Sequence, residues 1–310
     1  VLLLQGADAH AQIDAKDHGY RGPVEVIRGA QTLSIHAGYE WNCTKTMRMV
    51  LAGQEQEDVN RLHIRSYRQS GKTKLGLGID GVYVIFDAGS RGTDFVLEGV
   101  KETEPDDSVD SVVSTQALDN FIRESGSSKD EWSKTLRGAL VPLLNRKVIQ
   151  DHVFQAIPPK AVAKQILALF GIDSVSQNAT KYSYQNKILG VTEEGGTQKV
   201  VLGIEFNIKV SNIPIAGDHR FNLTGEGLGY SLVDVASGLN TAWTMKTNVE
   251  IESHSIGNHE AVVVETQTCG LINDVQVMAK NQRLNQTATV SSEKIWCATR
   301  QMVSHSTRST

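Results

Sequence analysis

No apolar run in this 310-residue chain approaches the roughly 18 residues that a membrane-spanning helix requires, which excludes such a helix from the sequence. Charge of one sign is lacking as well. Thirty-one Lys and Arg stand against 35 Asp and Glu, for a formal net charge of -4, and aromatic residues make up 6%. No stripe of Lys and Arg interleaved with aromatic side chains occurs, so the electrostatic footprint of a phosphate-backbone partner is missing and a nucleic-acid binder is excluded. Cysteine is scarce, with only Cys43, Cys269 and Cys297. None lies near the N-terminal end, where a lipid anchor of the lipobox type would need one. In an oxidising compartment a bridge between Cys269 and Cys297 on late strands is expected to add about 2 to 4 kcal/mol, with three free core thiols as the alternative.

The short catalytic motifs are missing too. Gly71-Lys72-Thr73 resembles the end of a phosphate-binding loop, but the earlier glycine would have to occupy position 66, which is Ser66, and no helix follows. A hairpin turn is the better reading. His259-Glu260 opens like a zinc-protease helix, yet Val263 stands where the second histidine is needed, and Ala261-Val262-Val263-Val264 reads as a strand. No Gly-x-Ser-x-Gly elbow occurs, and the cysteines have no neighbouring base that sequence identifies. Gly225-Glu226-Gly227-Leu228-Gly229 lacks the strand-loop-helix setting of a dinucleotide fold, so its glycines are read as permitting a bulge or a sharp bend. These absences argue against an enzyme and imply no cofactor.

What the chain has in quantity is strict alternation of apolar and polar residues. Leu33-Ile35-Ala37-Tyr39-Trp41-Cys43, Leu202-Ile204-Phe206-Ile208-Val210 and Trp243-Met245-Val249-Ile251 each skip a polar residue at nearly every step. A period of two puts these side chains on one face of a long, half-buried antiparallel strand. Residues 12–114 form a β-rich region, and Asp80-Gly81 between two apolar runs marks a tight hairpin. The period then changes. Ala117, Leu118, Phe121 and Ile122 have helical spacing, and Ser128 with Glu131 forms a capping box ahead of Trp132, Leu136, Leu140, Leu143 and Leu144. Pro142 predicts a kink or a break in that helix. Pro158-Pro159 opens another whose stripe is Val162, Ile166, Leu169 and Phe170, ended by Gly171. Residues 115–171 are therefore a helical segment, 172–300 a second antiparallel meander and 301–310 a polar tail.

Strand and helix blocks that follow one another without regular alternation predict an α+β fold, mainly antiparallel β. Its curved sheet or half barrel would carry the helical block on one face. The sequence leaves open whether the two β-rich regions share one sheet. At the start, Val1-Leu2-Leu3-Leu4 followed by Ala9-His10-Ala11 reads as a signal-peptide remnant over residues 1–11, with cleavage before Gln12. Export to an extracytoplasmic compartment is the expectation.

Two candidate sites follow. Space between a curved sheet and a helical cover is the default place for an apolar ligand. Trp41, Met47, Met49, Trp132, Phe206, Trp243 and Met245 are expected to line it, since methionine and aromatic side chains adapt to irregular apolar guests; close packing of the same residues into a core is the alternative. A metal site would gather His219, His254 and His259 with Asp218, because imidazole and carboxylate suit zinc.

The blocks Tyr39 to Gly53, Lys72 to Asp87, Ile157 to Phe170 and Gly217 to Thr247 carry Met47 and Met49, Pro158-Pro159, Gly227-x-Gly229, and Asp234 through Gly238. In this pattern, over about half of the chain, the protein resembles bacterial exported β-rich proteins of unknown function. A Gly-Asp-x-Trp segment expected after the central prolines is absent. The resemblance implies the compartment and the sheet, and carries over no active site. The expected role is a non-enzymatic binding or structural protein of the cell envelope, with an apolar small molecule or an envelope protein as partner. The competing expectations are a metal-dependent protein using the loop histidines and a subunit of an extracytoplasmic assembly.

Overall fold

Alternation along the strands sets the architecture of the computed structural model. It describes residues 14–79, 81–101, 104, 114–124, 128–170, 172, 180–214, 220–253 and 257–272. After a helical turn, α1, over residues 14–17, come β1 (Gln31–Thr32), β2 (Tyr39–Leu51), β3 (Gln54–Gln69), β4 (Lys72–Ile79), β5 (Val82–Gly89) and β6 (Val96–Lys101). Helices α2 (Thr115–Glu124) and α3 (Lys129–Leu140) follow, then the short β7 (Lys147–Val148) and β8 (Val153–Phe154), and α4 (Pro159–Leu169). The chain finishes its described part in β9 (Thr180–Glu194), β10 (Thr197–Pro214), β11 (Arg220–Asp234), β12 (Asn240–Ser253) and β13 (Gly257–Leu271).

Eleven strands make one antiparallel sheet in the order β6-β5-β4-β3-β2-β13-β12-β11-β10-β9-β8. Both β-rich regions therefore contribute to a single curved sheet, joined where β13 pairs with β2. β1 and β7 form a separate ribbon. The fold is α+β and mainly antiparallel β, as the strand periodicity predicts.

The turn after β3 shows how local sequence fixes register. Ser70 and Gly71 have φ of 50° and 77°, the left-handed pair that a two-residue hairpin requires, and Gln69 pairs with Lys72 across it. Gly71-Lys72-Thr73 is thus the start of a strand after a turn. The expected hairpin at position 81 joins β4 to β5, with Gly81 at φ 85°; Asp80 lies outside the described residues.

In β11 the glycines act through close approach. A Cβ on Gly229 would stand 2.0 Å from the Thr244 carbonyl oxygen and 2.7 Å from Met245 Cα. Pairing of β11 with β12 runs without a shift through residues 225–229, so these glycines permit close strand approach and not a bulge. The shifts fall elsewhere, between Val210 and Ile213 and between Leu232 and Val233.

Helices α2, α3 and α4 cover one face of the sheet, and α1 packs Ala15 on the other. Ser128 caps α3 by accepting a hydrogen bond from the Glu131 N–H at 3.1 Å, as the capping box predicts. The helix stops at Leu140, so Pro142 marks an end and no kink; Leu143 and Leu144, expected within the helix, are buried just beyond it. Leu118, Ile122, Trp132, Leu136 and Leu140 from α2 and α3 pack with Trp41, Leu62, Ile64, Leu75, Leu77 and Phe86 of the sheet. α4 packs Val162, Ala163, Ile166 and Leu167 against Ile204, Phe206, Ile208 and Met245.

Candidate functional site

Between the covered face and helices α3 and α4 lies a cavity of about 120 Å³. Its apolar wall comes from Trp132, Leu136 and Leu140 of α3, Ala161 of α4, Ile157, and Leu62, Leu77 and Ile204 of the sheet. Each of eight consecutive strands in the sheet, from β4 to β9, contributes at least one lining side chain. Gly138 sets the height of this roof. A Cβ there would stand 2.2 Å from the Ala156 carbonyl oxygen, so only glycine lets α3 pass so near the segment that leads into α4.

The floor is polar, which is unusual under a helical cover. Strand register lines up Ser231, Trp243, Gln267 and Lys45 across β11, β12, β13 and β2. The Lys45 ammonium lies 3.4 Å from the Glu265 carboxylate and 5.1 Å from the centre of the Trp243 ring. The two charged side chains are 16% and 8% exposed, so each is neutralised within the protein at a nearly dry position. Tyr184 and Asn186 complete this end: Asn186 Nδ2 donates to the Tyr184 hydroxyl at 3.3 Å and its Oδ1 accepts from the Ala156 N–H at 3.0 Å. Burial pushes the Tyr184 phenol up to about 12, against a smaller lowering by the Asn186 hydrogen bond. It stays protonated at neutral pH. Asn240 Nδ2 donates to the Ala139 carbonyl at 3.0 Å and ties β12 to α3.

Of the residues expected to line an apolar site, Trp132 and Trp243 do so. Phe206 and Met245 are packed into the core beneath α4, at 1% and 2% exposure, and Trp41 into the core beneath α2 and α3. For these three the close-packed alternative holds. Met47 and Met49 are half-buried on β2 and do not line the cavity. The polar floor was missed by sequence reasoning, although it leaves a trace. Lys45 falls in phase with Trp41 and Cys43, and Glu265 and Gln267 with Ala261 and Val263, which are positions where alternation puts apolar residues.

Of the expected histidine set, only His259 falls among the described residues. His259 is half-buried in β13, opposite Ile251, while His219, His254 and Asp218 lie outside the described residues. Among the described residues a different group comes together: the ligand atoms of Glu40, His63 and Glu104 lie within 4.8 Å of one another. Its members already have protein partners. His63 Nε2 is 2.8 Å from Glu40 and Nδ1 is 3.1 Å from the Tyr83 hydroxyl, while Arg65 lies 3.8 Å from Glu104. Burial, then the nearby Glu104 and Glu40, raise the Tyr83 phenol, so it remains protonated. The group reads as a hydrogen-bonded network on the side of the sheet opposite α2, α3 and α4.

The cysteine expectation is corrected. Cys269 is bonded to Cys43, its direct neighbour across the β13–β2 pair, with Cα atoms 4.0 Å apart. The partner was set by strand order, which brings the two ends of the described sheet sequence together; Cys297 lies outside the described residues.

No protein-family model and no curated protein matches the chain. Among solved structures it is similar to a structure of lipid–protein interactions in lipovitellin, at 9% identity and a TM-score of 0.26, over 83% of this chain and 26% of that one. It is also similar to a DUF1329 family protein from Desulfovibrio piger, at 10% identity and a TM-score of 0.19, over 88% of this chain and 93% of that one. This chain thus spans about a quarter of the lipovitellin chain, and likenesses at these scores carry no argument about function.

Proposed function

We propose that this protein is an exported, non-enzymatic binding protein of the cell envelope that holds the apolar part of a small molecule between its sheet and helices α3 and α4. The observation that carries the reading is the cavity itself, whose leucine, isoleucine and tryptophan side chains come from four strands, α3 and the segment before α4. Its volume is near that of an engineered apolar cavity of about 150 Å³ that binds benzene, so a ring or a short chain segment is what it holds as it stands. A longer apolar chain requires α3 and α4 to lift from the sheet. The Cys43–Cys269 disulfide supports export, because such bonds persist in oxidising compartments. On the block pattern of its sequence, we place the chain among bacterial exported β-rich proteins.

Calorimetric titration with toluene, a neutral ring of suitable size, tests this reading. Saturable one-to-one binding is expected, weakened at least about tenfold by Ala161→Phe, which puts a ring of its own into the space. Absence of binding to the unsubstituted protein, or an unchanged affinity in a folded Ala161→Phe variant, contradicts it.

A further inference from the structure

We infer that Glu40, His63 and Glu104 form a site for one Zn²⁺ ion on the face of the sheet opposite α2, α3 and α4. The inference is independent of the cavity reading. Strand register builds most of the site. β2 and β3 pair Glu40 with Arg65 and Asn42 with His63, so the Glu40 carboxylate and the His63 imidazole are diagonal neighbours on one face, 2.8 Å apart. Gly78 of β4 lies directly opposite both His63 in β3 and Tyr83 in β5. A Cβ on Gly78 would stand 2.5 Å from the Tyr83 ring, so glycine there lets the ring lie across β4 and bring its hydroxyl to 3.1 Å from His63 Nδ1. Glu104, three residues beyond β6, supplies the third ligand atom, and all three lie within 4.8 Å of one another.

One imidazole nitrogen and two carboxylate oxygens are a donor set that suits zinc and leaves a fourth tetrahedral position for water or another donor. Bonds of about 2.1 Å put ligand atoms on a shared tetrahedral ion about 3.4 Å apart. Glu40 and His63 therefore part by about half an ångström and Glu104 closes in by about 1.4 Å or less, shifts that side-chain torsions supply. His63 is already oriented for this role. With its Nε2 lone pair on the ion, Nδ1 carries the proton and donates to the Tyr83 oxygen, the kind of outer hydrogen bond that fixes tautomer and ring direction in metal sites. Arg65, 3.8 Å from Glu104, can keep its contact with one carboxylate oxygen while the other binds the ion. His63 and Glu40 are 11% and 12% exposed, so the ligands are held in a fixed and poorly hydrated place, while Glu104 at 30% leaves a way in from solvent.

The test is calorimetric titration of the full chain, stripped of metal with chelator and dialysed, with zinc chloride and, for comparison, calcium and magnesium chloride. One Zn²⁺ per chain is expected, with calcium and magnesium at least about a hundredfold weaker, because an imidazole nitrogen favours zinc over hard cations. Glu104→Gln keeps the shape of a partly exposed side chain and removes its charge; it is expected to weaken zinc at least about tenfold, and His63→Gln at least as much. His259→Asn is expected to leave zinc affinity unchanged, which separates this site from one built on the loop histidines. The inference is overturned if zinc does not bind, if a folded Glu104→Gln variant binds it unchanged, if the loss follows His259→Asn instead, or if calcium or magnesium binds as tightly. Should His63→Gln fail to fold, Glu104→Gln and the ranking of the three ions on the unsubstituted protein decide the matter.

Discussion

At the scale of single residues, the charged pair under the helices makes the sharpest demand on stability. Glu265 is 8% exposed and Lys45 is its ion-pair partner at 3.4 Å. Replacing only the lysine, as in Lys45→Met, leaves a buried carboxylate alone and is expected to cost about 3 to 5 kcal/mol in urea unfolding, whereas Lys45→Met with Glu265→Leu recovers most of that loss. Asp87 gives a pH signature. Burial by itself would push this carboxyl up, but hydrogen bonds from Lys72, the Gly89 N–H and Lys74 outweigh burial and hold it down at about 2. Its folded value is below the value of about 4 in an unfolded chain, so its contribution is fully present above that pH and is lost as pH falls from about 4 to 2. Asp87→Asn is expected to flatten the stability curve across that window in acid titrations followed by circular dichroism. The alternation that runs into β2 and the strand at Ala261–Val264 in β13 were legible in the sequence, but a period says only which face a side chain occupies. That Lys45 and Glu265 meet depends on two strands pairing, which no local pattern encodes.

At the scale of elements, the cavity exists because α3 stands at a defined height over the sheet. Ser128 fixes where the helix begins, and the end at Leu140 falls before Pro142, whose missing N–H and ring bar the helix from continuing. Gly138, facing the Ala156 carbonyl, fixes the distance of approach. Gly138→Ala is expected to push α3 away from the 156 segment, lower stability by about 1 to 3 kcal/mol in thermal unfolding and weaken toluene binding in step. The helices were readable because their apolar spacing, capping box and prolines are local signals. Beyond Pro142 the reading failed, since Leu143 and Leu144 continue the apolar stripe by spacing but are buried in an irregular segment. The helical stripes of α3 and α4 also hid their second role: Trp132, Leu136 and Ala161 are at once core residues and cavity wall.

At the scale of the whole molecule, one seam unites the sheet. β13 returns to pair with β2, and Cys43–Cys269 ties that seam across a sequence separation of 226 residues. Closing so long a loop restricts the unfolded chain, and removing the bond is expected to cost about 2 to 5 kcal/mol. Reduction, or Cys43→Ser, should therefore lower the urea midpoint with the sheet still formed, as read by far-ultraviolet circular dichroism. Strand content and the α+β order could be derived from the sequence, whereas strand order, the disulfide partner and the site could not. These depend on which distant segments lie side by side.

The central claim is that the space between sheet and helices holds an apolar guest. Native mass spectrometry of the protein taken from its own compartment, without detergent or chelator, tests it most directly. The account predicts an excess mass that matches a small molecule with an apolar part and is released on unfolding, and that is lost from Ala161→Phe. A folded protein that carries only the mass of its chain, and takes up no apolar ring compound when one is offered, would contradict it.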